Sequence, residues 1–255
     1  MSTDYRHLLS GTETHVSTQI NTVNKAKAWS AHGVTATGVV LALMAILALF
    51  DNQPRDCLLW LGAALLVDGL DGSFARKVQT STMLPNFDGS TLDLVIDYLT
   101  YVFIPALFIY RYVPLPDYTV LPTVSLILVS SLFCFCNLNM KSSDNYFVGF
   151  PAAWNVVALY LYLIDLPPVA SFAIICVLAA LTLTKLKFLH PFRVRKLMPL
   201  NITVTFVWML SSMFLIIQYP DLKSMMVALW GLSSAYFVGV CLWRSLMDWS
   251  GKLRA

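Results

Sequence analysis

Long apolar stretches separated by short polar breaks run from Trp29 to Trp243. A helix needs about 20 residues to cross a hydrocarbon core, and the apolar stretches divide at their breaks into pieces of that length. The pattern predicts spans near residues 30–50, 57–75, 90–110, 119–138, 147–165, 168–189, 201–219 and 223–243. The breaks Asp51 to Asp56, Pro114 to Asp117, Pro167-Pro168 and Tyr219 to Asp221 carry the Pro, Asn and Asp that end helices and close tight connections. The expected fold is all-α, a polytopic integral membrane helical bundle of about eight transmembrane helices. Residues 1–28 read as a polar cytoplasmic N-terminal segment, 29–243 as the membrane-embedded domain and 244–255 as a cytoplasmic C-terminal tail.

Composition sharpens the class. Hydrophobic residues make up 58% of the chain and charged ones 12%, with mean hydropathy +0.69, against roughly 45–50% and about 25% in a soluble domain. A soluble enzyme with one compact core is excluded. The net charge of +3 is too small for nucleic-acid binding, and no basic stripe alternates with aromatics. With a cytoplasmic start, only Arg55, Arg111 and Lys223 of the 17 basic residues fall outside. The positive-inside rule then puts both termini in the cytoplasm, with an even number of spans. Residues 1–28 lack the apolar core of a cleavable signal. Cys57, Cys134, Cys136, Cys176 and Cys241 are scattered, without zinc or disulfide spacing, and read as small buried hydrophobes.

Four aspartates stand out because each costs about 2.5 kcal/mol or more near bilayer depth. Asp68 and Asp71 lie at i and i+3 in the second span, and Asp93 and Asp97 at i and i+4 in the third. Each pair shares one helix face, and a cytoplasmic connection makes the two helices antiparallel neighbours with their acids at similar depth. Four carboxylates this close bind divalent metal or share protons. Hard oxygen ligands suit Mg²⁺ or Mn²⁺, and a pair of such ions is a standard device for phosphoryl or phosphatidyl displacement. A proton or cation pathway in a transporter is the runner-up. The run Val67 to Arg76 interleaves Gly69, Gly72 and Ala75 with the acids, and Gly89 opens the turn before Asp93. Such small residues let a base or ribose approach the helix, and Arg76 is a fixed cation able to clamp a phosphate, which favours the metal reading.

Asp68, Asp71, Gly72, Ala75, Arg76, Gly89, Asp93 and Asp97 match the pattern D-x2-D-G-x2-A-R-xn-G-x3-D-x3-D. In this the chain resembles the CDP-alcohol phosphatidyltransferases. The resemblance implies a six-helix catalytic core, with Asp68, Asp71 and Asp93 holding two Mn²⁺ or Mg²⁺ ions and Asp97 completing the metal site. It also implies that Asp97, beside Asp93, is the general base that takes the acceptor's proton. Gly72, Ala75, Arg76 and Gly89 are implied to shape the nucleotide and pyrophosphate pocket. Ala31 to Thr35 partly resembles the family's P-N-x-L-T nucleotide contact, matching at Thr35 and replacing the amide by His32.

The spacer between Arg76 and Gly89, Lys77 through Asp88, is longer than in the commonest version, and Gly69 follows the first aspartate. Both features, and the stretches Asp144 to Asn155 and Lys187 to Val194, resemble the bacterial branch of eight-span members that joins choline to CDP-diacylglycerol and releases CMP. That likeness implies CDP-diacylglycerol, choline and membrane lipid as partners, a homodimer, and an active site on the cytoplasmic side of the bacterial inner membrane. Serine, inositol or glycerol phosphate are the alternative acceptors. Choline's quaternary ammonium has no hydrogen to donate, so its site should use aromatic faces. Tyr146, Phe147, Phe150 and Trp154, with Trp29 and Tyr98, are the candidates, although membrane interfaces enrich such rings for any substrate. In the basic cluster from Lys185 to Lys196, Lys187 or Arg193 is the candidate for reaching the diphosphate, and positive-inside bias predicts a cluster there too.

Overall fold

The structure is a computed structural model that describes the backbone of residues 5–78, 84 and 86–251, and the side chains of residues 25–70, 84 and 86–251. No proline interrupts Tyr5–Phe50, which is a single helix, α1. Its apolar part, Lys25–Phe50, is long enough to cross a membrane. Hydropathy locates only that part, because polar residues before it also tolerate helix. The chain then reverses at Asp51 to Gln53, where Asn52 takes φ 56°. The amides of Asp51 and Gln53 donate back to the carbonyls of Leu47 and Ala48 at 2.9 and 2.8 Å.

Helix α2 (Pro54–Val78) returns along α1, with proline at its first position, where no amide is needed. Ala42, Ala45 and Ala48 are buried in one cluster with Cys57, Leu58 and Leu61. Their small size lets the two backbones approach closely. Helices α3 (Gly89–Tyr112) and α4 (Asp117–Phe135) follow. Next come α5 (Trp154–Ile164), α6 (Pro168–Leu181), α7 (Met198–Gln218) and α8 (Ser224–Trp249). Eight helices among the described residues match the expected number, and α1, α3, α4, α7 and α8 are each long and apolar enough to span a membrane. Large apolar side chains such as Val40, Leu43, Leu132, Leu210 and Leu232 face outward, as a lipid-facing belt requires. Helix α8 continues past Trp243 to Trp249, into the segment expected to be a tail.

The fifth and sixth elements differ from the expected 147–165 and 168–189. Helix α5 has 11 residues and α6 has 14, or about 16 and 21 Å of rise against a core of about 30 Å. The missing apolar residues form a ribbon. Strand β1 (Phe147–Val148) pairs antiparallel with β2 (Lys187–Phe188), Phe147 opposite Phe188. Lys141 bridges to the other side of Phe147. Gly149 takes φ +86° and donates to the Leu186 carbonyl at 2.8 Å, and an added Cβ there would stand 2.4 Å from the Thr182 carbonyl oxygen. Pro151 has no amide to continue a helix backwards. Helix α5 can be short because protein surrounds it, with Trp154, Asn155, Val157, Ala158, Leu161 and Leu163 all buried.

Candidate active site

Asp88 fixes where α3 begins. Its Oδ1 accepts from the amides of Ser90 and Thr91 at 2.9 and 3.2 Å, and its Oδ2 from the Thr91 hydroxyl at 2.6 Å. These bonds, Thr91's first, hold the carboxyl below its ordinary pKa. The cap satisfies amides that a helix start leaves open. With the start fixed, Asp93 and Asp97 follow one turn apart.

The two acids of α3 meet Asp68 of α2. One oxygen from each of Asp68, Asp93 and Asp97 lies within 4.8 Å of the others. A small cavity holds all three, closed by Thr35 and Gly38 of α1, Ala64 of α2 and Thr100 of α3. Just beyond Asp97, α3 widens into a π-helical turn, Tyr98–Phe103, a feature frequent at functional sites. From that turn the Tyr101 hydroxyl donates to Asp68 Oδ2 at 2.6 Å. Three hard oxygen ligands this close, one of them oriented by a hydroxyl, fit a Mg²⁺ or Mn²⁺ ion. The side chains of Asp71, Ala75 and Arg76 and the surroundings of Gly72 lie outside the described residues; their backbone continues α2.

Helix α1 presses on α3 at two glycines. A Cβ on Gly38 would come within 2.7 Å of Ile96 Cγ2, and one on Gly89 within 2.2 Å of His32 Cε1. Gly89 therefore leaves room for His32, the residue that departs from the nucleotide-contact pattern. The His32 ring packs 4.6 Å from Phe87 and edge-on to Trp29 at 6.2 Å. Its Nε2 is buried and has no hydrogen-bond partner among the described residues. Thr35 is brought to the acids, with its hydroxyl donating to the Ala31 carbonyl at 3.3 Å.

The aromatic candidates go elsewhere. Trp154 is fully buried and donates from Nε1 to Ser131 Oγ at 2.8 Å, while Phe150 packs edge-on against Trp154 and Phe188. Tyr146 is buried with the Arg244 guanidinium 5.5 Å over its ring. None of the three lines the cavity among the described residues. Tyr98 donates its hydroxyl to the Leu128 carbonyl at 3.1 Å, and Phe147 stacks on His190 at 5.0 Å.

The two basic candidates separate. Lys187 pairs with α8, its Nζ 3.8 Å from Asp248. Arg193 acts electrostatically on Asp68, as does Lys141. Crowding around the Lys141 ammonium and the Arg193 charge push its pKa down, against the carboxylates of Asp93, Asp97 and Asp68. The sequence marks Lys141 only as an inside charge and gives Tyr101 no role. Tyr101's place four residues after Asp97 is the one signal that pointed to it.

The CDP-alcohol phosphatidyltransferase family model matches residues 28–207, which takes in the apolar part of α1, α2 through α6, and the first half of α7. A Pseudomonas aeruginosa protein named phosphatidylcholine synthase is 66% identical over 236 residues, 92% of this chain and 99% of its own length. Proteins of that name from Rhizobium meliloti and Legionella pneumophila are 39% and 28% identical, over 76% and 86% of this chain and 80% and 87% of theirs. With the family model and these relatives covering most of a helical membrane bundle, the chain belongs to the CDP-alcohol phosphatidyltransferases and is a multi-pass membrane phosphatidyltransferase.

Proposed function

We propose that this enzyme transfers the phosphatidyl group of CDP-diacylglycerol to choline, giving phosphatidylcholine and CMP. The single observation that carries the transfer chemistry is the meeting of the Asp68, Asp93 and Asp97 oxygens within 4.8 Å. The choice of choline rests on the relatives' name, chiefly the one 66% identical over 99% of its length.

The choline oxygen attacks the lipid-side phosphorus in line. The bond from that phosphorus to the bridging oxygen breaks, and CMP leaves with the electron pair. Asp97 takes the hydroxyl proton, a role worth about 10²–10⁴-fold for a positioned base. Asp68, Asp93 and Asp97, with Asp71 one turn along α2, would hold a divalent cation, which when bound would supply Lewis acidity toward the diphosphate. Tyr101 fixes the rotamer of Asp68 through its 2.6 Å hydrogen bond. Thr35 and Gly89 stand on the nucleotide side, and Gly72, Ala75 and Arg76 extend it along α2. The basic residues gathered on one side support an inner-membrane enzyme with a cytoplasmic site and both termini cytoplasmic, residues 1–28 included. Homodimerisation belongs to the same reading and is checked by light scattering in detergent.

The test is incorporation of radiolabelled choline into lipid by purified protein in detergent, with CDP-diacylglycerol and Mn²⁺, alongside a panel of other alcohols. Labelled phosphatidylcholine that needs both donor and metal is the expected result. Turnover with serine, inositol or glycerol phosphate but not choline would overturn the acceptor.

A further inference from the structure

The ribbon between α4 and α7 has no counterpart in the mechanism above, yet it sits beside the acids. The ring of Phe192, next to Arg193, lies 3.5 Å from where a Cβ on Gly69 would be, next to Asp68. Lys141, Phe147 and Phe188 form one row across the ribbon. The Lys141 ammonium stands 5.9 Å over the Phe147 ring, whose other partner is the stacked His190 imidazole. Lys141 thus lies within the field of Asp68, Asp93 and Asp97, and Arg193 within that of Asp68.

What holds the ribbon is α8, all of which follows the residues that the family model matches. Arg244 donates from Nε to Asp144 Oδ2 at 2.8 Å and stands 3.7 Å from Asp248. Asp144 in turn accepts from the Ser142 hydroxyl at 2.6 Å, and Ser142 Oγ accepts the Tyr146 amide at 3.0 Å. The second strand is held from the same helix. The Lys187 amide donates to Ser245 Oγ at 2.8 Å, and the Leu189 amide to Cys241 Sγ at 3.2 Å. One face of one helix end therefore grips both strands through side chains. Arg244 is buried in doing so, a costly place for a guanidinium unless its pairing fixes a geometry.

We propose that the cytoplasmic end of α8 is a working part of the transferase: Arg244, through Asp144, sets the ribbon so that Lys141 and Arg193 take a phosphate of the donor opposite the carboxylates. Arg244 is a positioning residue and Lys141 a phosphate contact. A diphosphate bearing two negative charges needs cations on the side away from the acids, and ammonium and guanidinium groups supply charge-assisted bonds there. The inference rests on the reading of CDP-diacylglycerol as donor.

The test is the Michaelis analysis of CDP-diacylglycerol and of choline, separately, for Lys141→Gln, Arg244→Gln, Arg244→Lys, and the swap pair Arg244→Asp with Asp144→Arg. Loss of one charge-assisted phosphate contact is expected to raise the donor KM of Lys141→Gln about tenfold or more, with the choline KM unchanged. Arg244→Gln should do the same, Arg244→Lys less, and the double swap should recover donor KM relative to either single change. A donor KM unchanged in Lys141→Gln, or a swap no better than its singles in protein that elutes as one species, overturns the proposal. If the unaltered enzyme turns over no alcohol with CDP-diacylglycerol, the donor reading itself fails and takes this inference with it. Turnover with an alcohol other than choline leaves the donor test intact.

Discussion

Asp68, Asp93 and Asp97 sit on two long helices whose turns set their spacing, whereas Lys141, Phe147, Phe188 and Arg193 sit on short strands and loops gripped from outside by α8. The first wall is stiff because Asp88 caps the start of α3, which carries Asp93 and Asp97, and Tyr101 pins Asp68. The second is held by contacts between residues far apart in the chain, Arg244 with Asp144 and Lys187 with Ser245. Damage to the first should therefore remove chemistry, while damage to the second should loosen substrate and leave chemistry largely in place.

The sharpest break of that contrast is Asp97→Asn, which keeps the side chain's shape and removes the base. Turnover should fall about 10²–10⁴-fold while CDP-diacylglycerol still binds. Single-turnover kinetics checks this, and a near-normal rate would remove Asp97 from the role. Tyr101→Phe comes next. Loss of its bond to Asp68 should raise the Mn²⁺ concentration needed for half-maximal activity by about 10–100-fold, read from a metal titration at saturating donor.

Gly89→Ala tests packing at the first wall, since the new Cβ would land on the His32 ring. Overpacking of this kind costs about 1–3 kcal/mol, and a thermal melt in detergent should drop accordingly. His32→Ala in the same chain should restore part of the loss by emptying the contested space.

The smallest expected effect is one of pH at the second wall. Burial pushes the Asp144 carboxyl up, but hydrogen bonds from Arg244 and Ser142 and the Arg244 charge outweigh it, so its pKa lies below the ordinary value. A depressed folded-state pKa contributes stability that is present above the unfolded value of about 3.9 and lost as pH falls through the lower folded one. Melting temperature should therefore decline on acidification below about pH 4 more steeply in the unaltered protein than in Asp144→Asn. Equal slopes would mean that the Arg244 tether contributes nothing to stability.

The acid wall was legible because helix periodicity is local. The i, i+4 spacing of Asp93 and Asp97 puts both on one face of α3, and the connection from α2 brings them to Asp68; Asp71, the i+3 partner of Asp68, lies outside the described side chains. Tyr101 escaped because a π-helical turn changes the register just where it matters, and nothing local announces such a turn. The ribbon reads as helix in the sequence because Phe147 to Ala153 is mostly apolar and Leu183, Leu186, Phe188 and Leu189 prolong the apolar run of α6, and apolar runs do not tell buried strand from buried helix. The aromatic candidates were chosen for residue type, yet Trp154 and Phe150 serve the core under that ribbon, where their packing depends on Ser131 and Phe188. Arg244 looked like one more cytoplasmic charge. Only the return of α8 to a loop 100 residues earlier reveals its partner.

The central claim, that the carboxylates of α2 and α3 work by holding a divalent cation against the donor diphosphate, is tested most directly by stripping the purified enzyme of metal and measuring CDP-diacylglycerol-dependent lipid formation as Mn²⁺ is added back. Turnover should vanish in chelator, return with Mn²⁺, and need more Mn²⁺ in Asp93→Asn. Full turnover in chelator, or an Asp93→Asn enzyme with an unaltered Mn²⁺ titration, would contradict it.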